Sequence, residues 1–244
     1  MHREEYERMY RLEDHYWWFV ARRRLALRLL RKAVRDVEKP EILDLGCGTG
    51  VISTELREWS RPISLDMSSD ALAFSRGRGL VDLVRARGEF LPLANGSVDG
   101  VLALDIFEHI DDDAAAFGEA FRVLRPGGAL VLSVPAFKSL WGPHDIALMH
   151  FRRYRAAMIK ARLKQAGFKI ERLSYSIFFL FPAVVLVRLI EKRRKGEAKA
   201  SLPAVPESLN RFLVRLQDLE ASLIGKMALP WGSSVVAVAR KPLE

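Results

Sequence analysis

The chain has almost no cysteine: Cys47 is the only one in 244 residues. That excludes an internal disulfide framework and fits a reducing compartment. It also lacks a long apolar run. The most apolar stretch, residues 173–187, is fifteen residues long and carries Pro182, short of the roughly twenty needed to span a bilayer. The opening Met1-His-Arg-Glu-Glu-Tyr-Glu-Arg is too charged for a secretory signal, so a cytoplasmic location is expected. No metal-ligand spacing stands out, and no metal is expected. No internal repeat is present. Half of the residues are hydrophobic, which excludes a disordered chain, and the length suits one elaborated domain. The net charge of +9 favours anionic partners, whether nucleic acid, an acidic membrane surface or phosphorylated molecules, without choosing among them.

After Pro40 the sequence alternates between short apolar runs and helical periods, which predicts parallel crossovers and a doubly wound α/β sheet. Strands are expected at 42–45, 63–65, 81–85, 98–104, 129–134, 168–175 and 233–240. The spacing predicts one N-terminal helix over 4–35. Its aromatic cluster His15-Tyr16-Trp17-Trp18-Phe19 reads either as an anchor on the core or as a lid over a ligand. Asp111-Asp-Asp113 predicts the cap of a helix, and Arg125-Pro-Gly-Gly128 its stop. A further helix is expected over 155–165 and another over 209–223, with a mobile polar loop over 191–206.

The stretch richest in meaning is Glu41-Ile-Leu-Asp-Leu-Gly-Cys-Gly-Thr-Gly50. A strand ends in a glycine-rich turn and a helix opens at Val51. Open α/β sheets bind ligands at that place, because bare backbone can approach closely. Asp44 followed by Gly46-x-Gly48-x-Gly50 resembles the first motif of the class I S-adenosylmethionine-dependent methyltransferases, the small-molecule type 11-like group. Ser97-Val-Asp-Gly-Val-Leu102 is similar to a later part of that pattern. The resemblance implies a Rossmann-like seven-stranded sheet with an antiparallel last strand, and S-adenosyl-L-methionine as cofactor. It assigns the aminoacid end of the donor to Asp44, Gly46, Cys47, Gly48 and Gly50, and the ribose to Asp66, whose other reading is a helix cap. Met67 is expected beside the adenine, with Gly88 and Glu89 near it; Arg87 stands where the family often has an aspartate. Asp105, ending the fourth strand, is expected near the donor amino group. His109 reads as a structural histidine or a general base.

The acceptor side is expected after the fifth strand, in 136–155. There His144 is a candidate base for a hydroxyl, while His150, Arg152, Arg153 and Tyr154 suit an anionic oxygen; a solvated basic loop is the plainer reading. An Asn/Asp-Pro-Pro-aromatic motif is missing, which disfavours a nucleobase amine and nucleic acid as partner. The 173–187 stretch, followed by Lys192-Arg-Arg-Lys195, is either core or an interfacial segment meeting anionic headgroups at the inner face of the membrane. The expected organisation is a helical lid over 1–39, a methyltransferase core over 40–175 and 233–244, and a helical insertion over 176–232. The expected activity is methyl transfer to an oxygen of an amphiphilic or lipid-linked small molecule, with phosphate or carboxylate among the options. An RNA methyltransferase and a non-catalytic S-adenosylmethionine-binding protein are the alternatives. The glycine spacing disfavours a nucleotide-dependent dehydrogenase.

Overall fold

The computed structural model describes residues 3–193 and 204–243. Seven strands form one mixed sheet in the order β3-β2-β1-β4-β5-β7-β6. These are β1 (Glu41–Leu45), β2 (Arg61–Asp66), β3 (Leu83–Arg85), β4 (Val98–Leu104), β5 (Leu124–Pro135), β6 (Lys169–Ser176) and β7 (Ser234–Arg240). The first five run parallel, and β7 inserts antiparallel between β5 and β6. Strand order reverses between β1 and β4, so the crevice at their carboxyl ends is the expected ligand site of such a sheet.

Alternation along the central strands decides how the layers form, because successive side chains point to opposite faces. Leu43, Leu45, Val101, Ala103, Leu130 and Leu132 face one buried cluster together with Phe117, Ala120 and Leu163. That layer is α5 (Asp113–Val123) and α7 (Ala156–Gln165). Ile42, Leu102, Leu104, Val131, Val236 and Val238 face the other cluster, with Leu25, Leu29, Leu30, Ala221 and Ile224. Two helices from distant parts of the sequence build this second cover: α2 (Trp17–Ala33) and α9 (Glu207–Ile224). Both faces being buried explains why β4 has no exposed residue along its length and reads as a continuous apolar run.

Several boundaries differ from expectation. The single N-terminal helix is two, α1 (Arg3–Leu12) and α2, because each half packs on a different surface. Between them Tyr16 is extended, with φ −71° and ψ 128°. Asn210 of α9 pins the break, accepting the Trp17 N–H at 2.8 Å and donating to the His15 carbonyl at 2.8 Å. α1 lies against α4 (Ser69–Gly77), where Tyr10 meets Phe74 and Arg78 reaches Glu13 and Asp14. Arg125-Pro-Gly-Gly128 ends α5 but already belongs to β5, since Leu124 pairs with Val98 before a bulge. α3 (Val51–Leu56) follows the glycine turn, and α6 (Pro143–Ala147) lies in the excursion after β5.

The 173–187 stretch divides. Its first part is the end of β6, and its second is α8 (Phe181–Arg193), with Pro182 in the first turn where a missing N–H costs little. Leu186, Val187, Leu189 and Ile190 of α8 are exposed, Leu186 at 59%. No helix among the described residues is long and apolar enough to cross a membrane. The polar loop expected over 191–206 lies mostly outside the described residues.

Leu30 is fully buried where α2 crosses the sheet, and a Cβ built on Gly100 comes within 3.1 Å of it. Leu30→Ala is expected to cost about 2–5 kcal/mol by loss of transfer energy and cavity formation. Urea unfolding of the two proteins measures it; unchanged stability contradicts the two-layer description.

Candidate functional site

The glycine turn connects β1 to α3 with three residues in the left-handed region: Gly46 at φ +77°, Gly48 at +54° and Gly50 at +83°. Side chains are excluded there by space as well as by conformation. A Cβ on Gly50 meets Ser75 Oγ at 2.7 Å, and one on Gly46 meets Ile106 Cγ1 at 2.7 Å. Asp44 is buried beneath the turn and accepts from Ser53 Oγ at 2.6 Å. Burial pushes its carboxyl up to about 6. Burial likewise holds the Cys47 thiol above its ordinary value, so it is no nucleophile near neutral pH.

Asp66, at the end of β2, accepts the backbone N–H of Gly48 at 3.0 Å and that of Ser68 at 2.9 Å. Its carboxylate therefore lies directly against the glycine turn, 18 residues away in sequence. The helix-cap role belongs to the neighbouring Ser68, whose Oγ accepts from Ala71. Met67 is exposed beside Asp66. Glu89 is buried and paired with the exposed Arg87 at 2.8 Å. A Cβ on the nearby Gly88 would meet Ile110 Cδ1 at 2.7 Å. Arg87 thus acts here by neutralising Glu89.

α1, part of the segment expected as a lid, lies on this turn through residues that the sequence analysis did not single out. A Cβ on Gly48 would come within 2.9 Å of Met9 Cε. The buried Glu13 accepts from Thr49 Oγ1 and from Arg78. Nothing in the spacing of α1 separates these residues from an ordinary amphipathic helix.

β4 ends at Asp105, a non-glycine residue at φ +52°. Its carboxylate is ion-paired with Arg22 of α2 and accepts from Ser133 Oγ at 3.0 Å. The Arg22 guanidinium in turn stacks on Trp18, 4.6 Å from the ring centre. The aromatic cluster divides by residue. Tyr16 and Phe19 are buried anchors, whereas Trp17 and Trp18 line a cavity over the carboxyl ends of β4, β5 and β6 and the amino end of β7. Ser133, Ser176, Gln217 and Glu220 complete that cavity. Sequence reasoning missed them because serines at strand ends and acids on an amphipathic helix carry no spacing signal.

The excursion after β5 is closed at its base. Phe137 donates to the Tyr154 carbonyl and Tyr154 to that of Pro135, each at 2.8 Å. Three of the residues expected on the acceptor side have partners inside the loop. Asp145, fully buried, accepts from Arg153 Nε at 2.7 Å, Arg153 Nη2 at 3.0 Å and the Gly142 N–H at 2.9 Å. These donors hold its carboxyl well below the usual carboxylate range. Tyr154 is fully buried, its hydroxyl 3.0 Å from Asp113 and 3.1 Å from the Phe107 carbonyl. Arg152 pairs with Asp113 at 3.3 Å and Asp111 at 3.4 Å. Arg152, Arg153 and Tyr154 are thus saturated by internal partners, because a buried cation or hydroxyl without a partner would be costly.

His144 and His109 are neutral near pH 7. Burial lowers His144 to about 4, with the Arg188 charge adding to it, and lowers His109 to about 4. The ring of His150 is held through Nδ1 by Asp145 at 2.9 Å and meets the His109 ring edge-on, centres 4.6 Å apart. Against the expectation of no metal-ligand grouping, Glu108, His109 and His150 bring one ligand atom each to within 4.8 Å of one another. The sequence hides the group because His150 lies 41 residues beyond His109 and meets it only through loop closure.

A protein family described as a methyltransferase domain matches residues 43–132. A probable S-adenosylmethionine-dependent methyltransferase of Mycolicibacterium smegmatis is 36% identical over 166 residues, covering 65% of this chain and 62% of that protein. The chain therefore spans less than two thirds of that relative's length. A SAM-dependent methyltransferase structure from Thermotoga maritima shares the fold with a TM-score of 0.60 at 18% identity, covering 98% of this chain and 95% of that one. Haemonchus contortus phosphoethanolamine N-methyltransferase 2 in complex with S-adenosyl-L-methionine does so with a TM-score of 0.58 at 18% identity, covering 89% and 52%. Strand order, glycine turn and the matched segment agree: residues 43–132 match a methyltransferase domain, and the chain shares the fold of the S-adenosylmethionine-dependent methyltransferases.

Proposed function

We propose that this protein transfers the methyl group of S-adenosyl-L-methionine to an anionic oxygen of an amphiphilic or lipid-linked small molecule. The observation that carries the donor assignment is the Asp66 carboxylate hydrogen-bonded to the Gly48 backbone. A nucleoside needs an acid for its ribose diol next to backbone free of side chains, and both occur there. The residues fit the donor on a second count: Gly48 carries no Cβ, and the atom above it is the end of a flexible methionine, Met9. The donor enters as α1 lifts from the turn.

The acceptor assignment rests on different features. Arg22 lines the cavity under Trp17 and Trp18 and is ion-paired with Asp105. Asp105 turning to the donor ammonium releases Arg22 for an acceptor anion, and Arg22 Nε is buried without a hydrogen-bond partner among the described residues. His144, pushed down to about 4, is a weak base; an anionic oxygen needs none. In the reaction that oxygen attacks the methyl carbon as the carbon–sulfur bond breaks. The electron pair passes to sulfur, leaving S-adenosylhomocysteine, and the enzyme's share is alignment of the two reactants. The apolar tail of the acceptor suits the exposed side chains of α8, and the sequence run Lys192-Arg-Arg-Lys195 suits anionic headgroups.

Three outcomes are expected. Asp66→Ala weakens donor binding about tenfold or more, from the loss of charge-assisted hydrogen bonds worth about 1.5–3 kcal/mol each; calorimetry giving wild-type affinity sinks the ribose assignment. Asp44 ionises near 6 in the folded protein and the donor ammonium prefers the ionised form. Affinity is therefore full above that pH and falls as pH drops through it, whereas Asp44→Asn binds weakly with a flatter profile. Equal pH profiles for the two proteins would contradict this role. With radiolabelled donor and a polyprenyl-type lipid extract, label is expected in the organic phase; label only in water-soluble acceptors or in RNA overturns the acceptor reading.

A further inference from the structure

Glu108 has a place that the methyl-transfer reading leaves unexplained. It sits in the short turn after β4, fully buried, and neither carboxylate oxygen has a hydrogen-bond partner among the described residues. Burying an unpaired carboxylate costs several kcal/mol, and a glutamine or an apolar side chain of similar volume would avoid that cost. Such a group is retained at no penalty only if it holds a proton or a cation.

The neighbouring side chains favour a cation. One nitrogen each from His109 and His150 joins a Glu108 oxygen in a group whose atoms all lie within 4.8 Å. Each ring already has a hydrogen-bond partner. Asp145 accepts from His150 Nδ1 at 2.9 Å, the tautomer that leaves the lone pair on Nε2, and the His109 ring donates to the Leu148 carbonyl. Asp145 is itself fixed by Arg153 and the Gly142 N–H. Metal-bound imidazoles are typically oriented in this way by a carboxylate or carbonyl behind them. The excursion after β5 is also tied to the same turn, Phe151 donating to the Glu108 carbonyl at 2.8 Å.

We propose that Glu108, His109 and His150 form a binding site for one first-row divalent transition-metal ion. Two neutral imidazoles and one carboxylate suit zinc, iron(II), cobalt(II) or manganese(II) better than magnesium or calcium, which prefer all-oxygen shells. Three protein ligands leave a coordination position open. The site lies three residues beyond Asp105, on the acceptor side, so an ion bound there would hold and orient an anionic acceptor oxygen that reaches the open position. This last role rests on the methyl-transfer reading; the binding site does not.

Cobalt(II) is the probe, because its visible absorption reports imidazole and carboxylate ligation without any turnover. Tag-free full-length protein, dialysed against chelator, is titrated with cobalt(II) and then with zinc. The expected result is about one ion per chain with d–d bands that zinc abolishes, and Glu108→Gln or His150→Ala binding at least about tenfold more weakly. Asp145→Asn, a positioning change, is expected to weaken binding while leaving the shape of the bands. Circular dichroism checks that each variant is folded. Absence of bands in the wild-type protein, or equal binding by folded Glu108→Gln and His150→Ala, overturns the proposal. Donor calorimetry on the same samples is unaffected by either outcome.

Discussion

One hydrogen bond organises the ligand-binding end of this molecule: the Gly48 N–H to the Asp66 carboxylate at 3.0 Å. It joins the turn after β1 to the end of β2 and holds an acid beside backbone that has no side chain to obstruct it. The same acid accepts from Ser68 at the start of α4, so strand, turn and helix share one anchor. Beneath it Asp44, Ser53 and Ser64 form a buried chain of hydrogen bonds. Burying these polar groups is tolerated because each has a partner.

The opposite side of the crevice is built from ion pairs rather than from bare backbone. Asp145, Arg153 and His150 make the loop after β5 a rigid wall, and Asp113 does the same for Arg152, Arg162 and Tyr154. The arginines of this loop and of α7 are paired with internal carboxylates and hold the loop in place. Arg22 of α2, which lines the cavity, is paired with Asp105 just after β4.

Much of the core was legible in the sequence, and for a physical reason. A parallel strand buried on both faces leaves an apolar run, and a left-handed turn leaves glycine, so β1, β4 and the turn at Gly46, Gly48 and Gly50 announce themselves locally. Asp66 was legible because strand and turn lengths fix its distance from the glycines. What escaped depends on tertiary closure. The break between α1 and α2 is set by Asn210, nearly two hundred residues away. Whether Arg153 meets solvent or Asp145 is decided by how the loop closes on itself, and residue type alone gives no sign of it. Glu108 sat in plain view beside His109, yet its lack of a hydrogen-bond partner among the described residues is a property of packing.

The account stands on the crevice between β1, β2 and β4 being a site for a sulfonium nucleoside. Its most direct test is calorimetric titration of the wild-type protein with S-adenosylhomocysteine and, in parallel, with a nicotinamide dinucleotide. Saturable binding of the first at about one per chain with no heat from the second is the predicted result. A protein that retains neither S-adenosylhomocysteine nor S-adenosylmethionine at millimolar excess, or that prefers the dinucleotide, contradicts it.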